Sequence, residues 1–330
     1  MTRLYITEQQ AILRKTGDRL IVEKDHSVLM EVPCLKLDAV LIYGNVQITT
    51  QAMIELLQHG IELAIFSRTG KLWGQITPPK ARNIVLRMRQ YELGKSEDFC
   101  LCFARNVVRG KIANAAVVLR RFRSNHPDAF PLSTVEDLET RLNRVDSCSS
   151  LDTLLGVEGS AAAAYFEAFA AMVPQELGFS GRQRRPPRDP VNALLSFGYV
   201  LVGNELQSLL DGIGFDPYIG FLHRLDYGRP SLALDLVEEF RPALVDRLTS
   251  SLLNRKLLDR HHFETTPEGG LYLDREGKRR YFTEYEKEMN APFTLDGGTV
   301  TFRGLFRRQA DRLAAAITRD EPYESFLLPC

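Results

Sequence analysis

Charge imbalance is the first thing missing: 42 Lys+Arg stand against 42 Asp+Glu in 330 residues. Net charge therefore names no partner, and any nucleic-acid surface must be a local basic patch balanced by acid elsewhere. Cysteine is scarce and odd in number, at five. This argues against a disulfide framework and fits a reducing cytoplasm. Cys100-Leu-Cys102 has the wrong spacing for a zinc knuckle, and no second pair accompanies it. No apolar run approaches the roughly 18 residues of a membrane-crossing helix. The opening Met-Thr-Arg-Leu-Tyr-Ile-Thr lacks an apolar signal core. The expectation is a cytoplasmic protein with no membrane partner. Walker loop, GxGxxG after a strand, HExxH and GxSxG are all missing, so nucleotide hydrolysis and serine-type acyl transfer lack support. There is no internal repeat and no low-complexity segment.

The chain does have material for a sizeable core, at 44% hydrophobic residues, and enough length for two domains. Residues 1–77 read as short strands: Leu4–Ile6, Ala11–Arg14, Arg19–Glu23, Val28–Val32, Leu37–Ile42, Ile61–Phe66 and Leu72–Ile76. One helix interrupts them, Thr50–His59, with Thr49 or Thr50 as cap and Gly60 beyond its end. Pro78-Pro79 marks a joint, and the period then changes to that of helices. Lys80–Leu93 is amphipathic and ends at Gly94. Ser96 caps a helix to about Arg123, and Thr134-x-x-Asp137 reads as a capping box opening another to about Val145. From Leu151 to about Leu258 the pattern is nearly all helical. A hairpin-like interruption over Phe263–Phe282, with turns at Gly269-Gly270 and Glu276-Gly277, precedes a last helix, Thr301–Ala316. The fold class expected is α+β multidomain. A β-rich N-terminal domain (1–77) leads through a linker and joining helix (78–95) to a larger all-α domain (96–330).

Three stretches carry possible chemistry. In Phe221–Arg241, His223 lies in a turn-rich segment and a helix begins near Ser231. Asp235 and Glu238, three apart, share a helix face, while Leu232, Leu236 and Phe240 can face the core. Imidazole and carboxylates suit a divalent cation; an ordinary acidic helix face beside a satisfied histidine fits the same letters. In Leu154–Phe166, Glu158 stands between Gly156 and Gly159 ahead of four alanines. Small residues admit a ligand, or simply let helices pack closely. In Gly181–Asp189, Arg182, Arg184, Arg185 and Arg188 lead into a helix that carries Asn192 and Ser196. Guanidinium forks and helix N-terminal amides suit phosphate oxygens, against the plainer reading of a solvated loop. Other basic clusters, among them Arg105/Arg109/Lys111 and Arg303/Arg307/Arg308/Arg312, each read alone as solvated faces. Tyr165 and Tyr199 read as ordinary helical aromatics. His261-His262 diverge and do not suit one ion.

Taken together, these segments resemble the CRISPR-associated adaptation integrase family (Cas protein one). The likeness runs from Leu4-Tyr-Ile through Gly-Val-Glu158-Gly and Pro-Pro-Arg-Asp-Pro-Val-Asn192-Ala-Leu-Leu-Ser-Phe-Gly-Tyr. It continues in Gly-Phe-Asp-Pro-Tyr-x-Gly-Phe-Leu-His223 and Leu-Ala-Leu-Asp235-Leu-Val-Glu238-Glu-Phe-Arg-Pro. The resemblance implies a β-rich domain joined to a helical catalytic one. It implies Glu158, His223 and Glu238 as catalytic metal ligands, with Asp235 a possible second acid. Some relatives carry aspartate where Glu238 stands. Mg²⁺ or Mn²⁺ is the cofactor implied. The partners implied are a second copy of the chain, a small companion Cas protein, and DNA as double-stranded spacer precursor and CRISPR repeat.

The reaction so implied is 3′-hydroxyl attack on a phosphodiester, or hydrolysis with water as nucleophile. Arg182, Arg184, Arg185, Arg188 and Asn192 would hold the strand without reading bases. Two rivals are a metal-dependent phosphohydrolase of small phosphate esters and a non-catalytic DNA-binding scaffold.

Overall fold

A computed structural model describes residues 3–76, 83–183, 186–223 and 226–329. The chain forms two compact units, Met1–Lys80 with Tyr272–Thr283, and Ala81–Leu271 with Glu284–Cys330. The class is α+β, with the sheets near the N-terminus and the helices after them.

In the first unit the strands are β1 (Arg3–Ile6), β2 (Ile12–Thr16), β3 (Arg19–Lys24), β4 (Ser27–Pro33), β5 (Ala39–Tyr43), β6 (Gln47–Ile48), β7 (Glu62–Phe66) and β8 (Leu72–Ile76). They build two four-stranded sheets, ordered β1-β5-β7-β8 and β4-β3-β2-β6. Strands β1, β5 and β7 run parallel, with Tyr5 opposite Leu41 and Leu41 opposite Ala64. Alternate residues Leu4, Ile6, Leu20, Val22, Val40 and Ile42 enter one core, as a two-residue period dictates. Every residue of β5 is buried, so both its faces are covered. Part of that cover comes from far along the chain, since Phe282 stacks on Tyr5 at 4.1 Å and tilts against Tyr43 at 5.2 Å. Helix α1 (Thr50–Gln58) starts where the Thr49 side chain accepts the Ala52 amide, and Gly60 beyond it takes φ +71°.

The second unit is helical: α2 (Ile84–Leu93), α3 (Glu97–Asn125), α4 (Leu132–Arg144), α5 (Leu151–Phe169), α6 (Pro190–Ile213), α7 (Ser231–Phe240), α8 (Arg247–Asn254), the later part of α9 (Arg275–Asn290), and α10 (Phe302–Arg319). Pro78-Pro79 and the start expected at Lys80 lie outside the described residues. Helix α2 begins where the Asn83 side chain accepts the Leu86 amide at 3.2 Å. Helix α3, 29 residues and therefore about 43 Å long, is the central rod; α4, α5 and α7 pack along it.

Three expectations from sequence fail here. Residues 96–330 are not all-α, since they include the short strands Phe263–Thr265, Leu271–Leu273, Phe293–Leu295 and Gly298–Val300. Thr134-x-x-Asp137 is not a capping box: α4 starts two residues earlier, with Pro131 at the cap position. Glu276-Gly277 is no turn but the first turn of α9, where the Gly277 amide donates to Asp274 Oδ1 at 2.6 Å. Asp274 supplies a cap that a reading of Gly as turn-former missed. The turn at Gly269 is as expected, with φ +75° and its amide on Thr266 O at 2.9 Å. Helix α6 is long and apolar enough to cross a membrane, yet 67% of its most apolar window is buried inside the protein.

Candidate metal centre

Helix α7 is buried on all sides: Asp235, Glu238 and Glu239 are as enclosed as Leu232, Leu236 and Phe240. Asp235 therefore does not face a cleft. Its Oδ2 accepts the amides of Phe221 and Leu222 at 2.7 and 3.0 Å, and its Oδ1 accepts the His223 amide at 2.9 Å. Oδ1 also lies 2.7 Å from His223 Nδ1. A carboxylate oxygen accepts, so Nδ1 carries a proton and Nε2 is turned away from Asp235. Gly220 makes this turn possible, because a Cβ there would lie 2.8 Å from Asp235 Oδ2 and from Ser231.

His223 Nε2 points to α7, 3.7 Å from Glu238 Oε1. The Arg241 guanidinium lies 3.1 Å from the same oxygen, and Lys111 Nζ lies 2.7 Å from Glu238 Oε2. Lys111 also pairs with Glu158 Oε1. One ammonium from α3 thus joins a carboxylate of α5 to a carboxylate of α7. Burial works to raise the Glu238 pKa, but Arg241, Lys111 and His223 outweigh it and hold it at about 2. Burial likewise works to lower Lys111, and Glu238 and Glu158 keep it above the usual lysine value. Among the described residues no three His, Cys, Asp or Glu side chains close on one point. The place between Glu158 and Glu238 holds a positive charge, Lys111, instead. Two carboxylates and an imidazole nitrogen around a cation form a donor set that fits a hard divalent ion. On the Glu158 side a Cβ at Gly156 or Gly159 would meet nothing within 4 Å. These glycines lie on exposed faces of α5 and are not needed for close packing against another helix.

A second cationic group adjoins the first. After Phe240 the chain forms a π-helical segment, Arg241–Asp246. Its wider turn directs both ends at Tyr199 on α6. The Arg241 guanidinium lies 4.3 Å from the ring centre, and Tyr199 Oη donates to Asp246 Oδ1 at 2.6 Å. Arg182 approaches the same ring at 5.4 Å. Burial pushes Asp246 up to about 6. Lys111, Glu158, Arg182, Tyr165, Tyr199, Arg241 and Asp246 line one small cavity of about 50 Å³.

The remaining residues singled out from sequence divide. Arg182 folds back, donating to Asn192 Oδ1 at 2.8 Å and Ser196 Oγ at 3.0 Å. Asn192 is buried. It also accepts the Gln183 amide and donates to Gly181 O and Asp189 Oδ2, so its amide holds the loop rather than facing solvent. Arg188 is exposed. Arg184 and Arg185 lie outside the described residues. His262 caps the turn at Asp259, 2.9 Å away, and the other basic clusters are largely spent: Arg109 on Asp146, Arg303 on Glu286, Arg307 on Asp311, Arg308 on Asp296.

Sequence reasoning missed Lys111, Arg241 and Tyr199 as members of the centre. Lys111 had a signal. Its helical neighbours Val107, Val108, Asn114 and Ala115 are all core residues, and a lysine set in such a stripe needs a buried partner.

A strand-rich first unit precedes a helical second unit in which two acids of different helices converge on one lysine. The chain matches the family described as CRISPR associated protein Cas1 over residues 4–287. It is 35% identical over 328 residues to CRISPR-associated endonuclease Cas1 3 of Thermus thermophilus, covering 98% of this chain and 96% of that one. Its fold is similar to that of a casposase bound to integration product, with TM-score 0.89, 25% identity, and coverage of 100% of this chain and 94% of that one. It is also similar to a chain in a Cas6-RT-Cas1–Cas2 complex, with TM-score 0.84 and 26% identity, spanning all of this chain and 36% of that one. The chain belongs to the Cas1 family, the endonucleases and integrases of CRISPR adaptation.

Proposed function

We propose that Glu158, His223 and Glu238 are the metal ligands and catalytic residues of this integrase, holding Mg²⁺ or Mn²⁺. The observation that carries this reading is the Lys111 ammonium paired to both Glu158 and Glu238, with His223 Nε2 at their edge. When bound, the ion supplies Lewis-acid neutralisation of phosphate charge. The protein does the rest. Asp235 holds the His223 ring in one orientation through Nδ1. Arg241 brings fixed positive charge beside the place where negative charge builds on the reacting phosphate, and Lys111 holds the two acids together until the ion takes its place. The 3′-hydroxyl of a spacer precursor attacks a phosphodiester of the CRISPR repeat in line; with water in its place the product is a cut strand.

Arg188, with Arg184 and Arg185, supplies phosphate contacts on the loop that Asn192 and Arg182 organise. The partners of this reading are DNA, a second copy of the chain joined through the β-rich residues 1–77, and a small companion Cas protein. The DNA-bound casposase and the Cas1–Cas2 assembly among its structural relatives support the first and last of these. Of residues 96–330, expected as the catalytic domain after a joining segment 78–95, those of the second unit carry catalysis in this reading, while Tyr272–Thr283 belongs to the first, and the cytoplasm is where such DNA is met. The test is a strand-transfer assay with and without Mn²⁺, wild type against Glu158→Ala. Activity lost in a variant that still folds is the expected result. A folded Glu158→Ala with full metal-dependent activity would overturn the assignment.

A further inference from the structure

The last ten residues described, Asp320–Pro329, have no regular secondary structure, yet Tyr323, Phe326 and Leu328 are buried. What they touch is specific. Phe326 N donates to Glu239 Oε2 at 2.7 Å, Tyr323 Oη donates to Glu239 Oε1, and Gln309 Nε2 of α10 donates to Oε2 at 2.9 Å. Asn114 of α3 donates through one Nδ2 to Glu239 O of α7 at 2.9 Å and to Phe326 O at 3.0 Å. Its Oδ1 accepts the Leu328 amide at 2.7 Å. Ser325 Oγ donates to Asn106 O. A Cβ added at Gly110 would fall 2.5 Å from Ser325 Cβ, so this glycine keeps the helix surface open for the tail. The Tyr323 ring packs on Phe103 at 4.7 Å, and Phe103 packs on Phe221 at 5.3 Å.

Three of these anchors lie within two residues of the metal centre in sequence. Gly110 precedes Lys111, Glu239 follows Glu238, and Phe221 lies two residues before His223. We propose that the C-terminal tail is a positioning strap: Tyr323, Ser325, Phe326 and Leu328, read by Asn114, Gly110 and Glu239, fix the spacing of α3, α7 and the His223 turn. Without the strap, α3 and α7 are joined by Asn114, by the Lys111–Glu238 pair and by side-chain packing. The buried amides of Phe326 and Leu328 accept no substitute from water, so the seated tail has one register. The strap contributes no group to the reacting phosphate. Its effect falls on the geometry of Lys111 and Glu238, and so on turnover rather than on DNA affinity. This rests on the reading of Glu238 and Lys111 as members of the centre.

The experiment exchanges size across the seat. Gly110→Ala gains helix propensity, so any loss cannot come from a weakened α3. The expected result is strand-transfer turnover at saturating DNA reduced by up to ~10²-fold, with unchanged DNA affinity and unchanged helix content by far-ultraviolet dichroism. Gly110→Ala/Ser325→Gly removes the clashing atoms and is expected to restore turnover, while Ser325→Gly alone stays active. Full turnover in Gly110→Ala, or a stable Gly110→Ala that Ser325→Gly does not rescue, overturns the strap. Glu158→Ala is run alongside. If it stays active, the metal-centre reading fails whatever the tail does; if it is dead while Gly110→Ala is fully active, the strap alone fails.

Discussion

At the scale of single residues, the centre is an arrangement of buried charges that hold one another. Lys111 is the tightest case, because it stands between two carboxylates that would otherwise face each other. Replacing Lys111 with Ala is expected to cost about 3 kcal/mol in the presence of chelator, as for breaking a buried pair. Part of that loss should return on adding Mn²⁺, which takes up the same two acids. Thermal denaturation with chelator and with Mn²⁺ reads both effects; equal loss in the two would argue against a shared place for ammonium and metal. Asp235→Asn keeps volume but puts an NH₂ against backbone amides that need an acceptor. A fall of about 10–100-fold in strand transfer is expected, with DNA binding intact by titration. Asp246 supplies a pH dependence of stability. Its folded pKa of about 6 stands above the ordinary aspartate value of 3.8. Between about pH 4 and 6 the unfolded chain gives up this proton while the folded one keeps it, so stability falls as pH rises through that window and is then level. Asp246→Asn still accepts from Tyr199 and escapes this penalty. It is expected to melt higher than wild type at pH 7.5, by up to about 3 kcal/mol of stability, with the gap closing near pH 4.

At the scale of elements, what could be read from the letters was what local pattern determines. The strands β1 to β5, β7 and β8, the Thr49 and Ser96 caps and the ends at Gly60 and Gly94 follow from alternation, capping chemistry and glycine, while the two-residue β6 is too short to show a pattern. Asp274 as the cap of α9 was hidden by a Gly277 that looked like a turn. The π-helical segment after Phe240 had one signal, Pro242, whose missing N–H interrupts an α-helical ladder, but nothing in the letters says that the interruption is a wider turn. That segment decides which residues meet Tyr199, so Arg241 and Asp246 went unread with it. Glu158, His223 and Glu238 could be picked out one by one. That a lysine from α3 would join them depends on how three helices pack, which no spacing within one helix carries. Gly220 makes the same point: its need is set by a carboxylate fifteen positions later. Gly220→Ala is expected to leave α7 helical while displacing His223, seen as lost strand transfer with unchanged far-ultraviolet dichroism.

At the scale of the whole molecule, a chain with 42 positive and 42 negative side chains does not attract DNA by bulk charge. Among the described residues several arginines outside the centre are paired within the fold, whereas Arg188 is exposed and is the phosphate contact proposed above. Arg188→Ala is expected to weaken binding to all duplex sequences alike and to lower the slope of log affinity against log salt by about 1. An unchanged slope would make Arg188 a bystander.

The return of Tyr272–Thr283 to the first unit has a consequence for how the polypeptide is made. Tyr5 and Tyr43 wait for Phe282, which leaves the ribosome some 240 residues after Tyr43. Synthesis from the amino end therefore yields a nascent sheet with a bare aromatic face for most of translation. A gene fragment stopped at Lys80 should express as an aggregating product, and supplying the later segment is what should make it tractable.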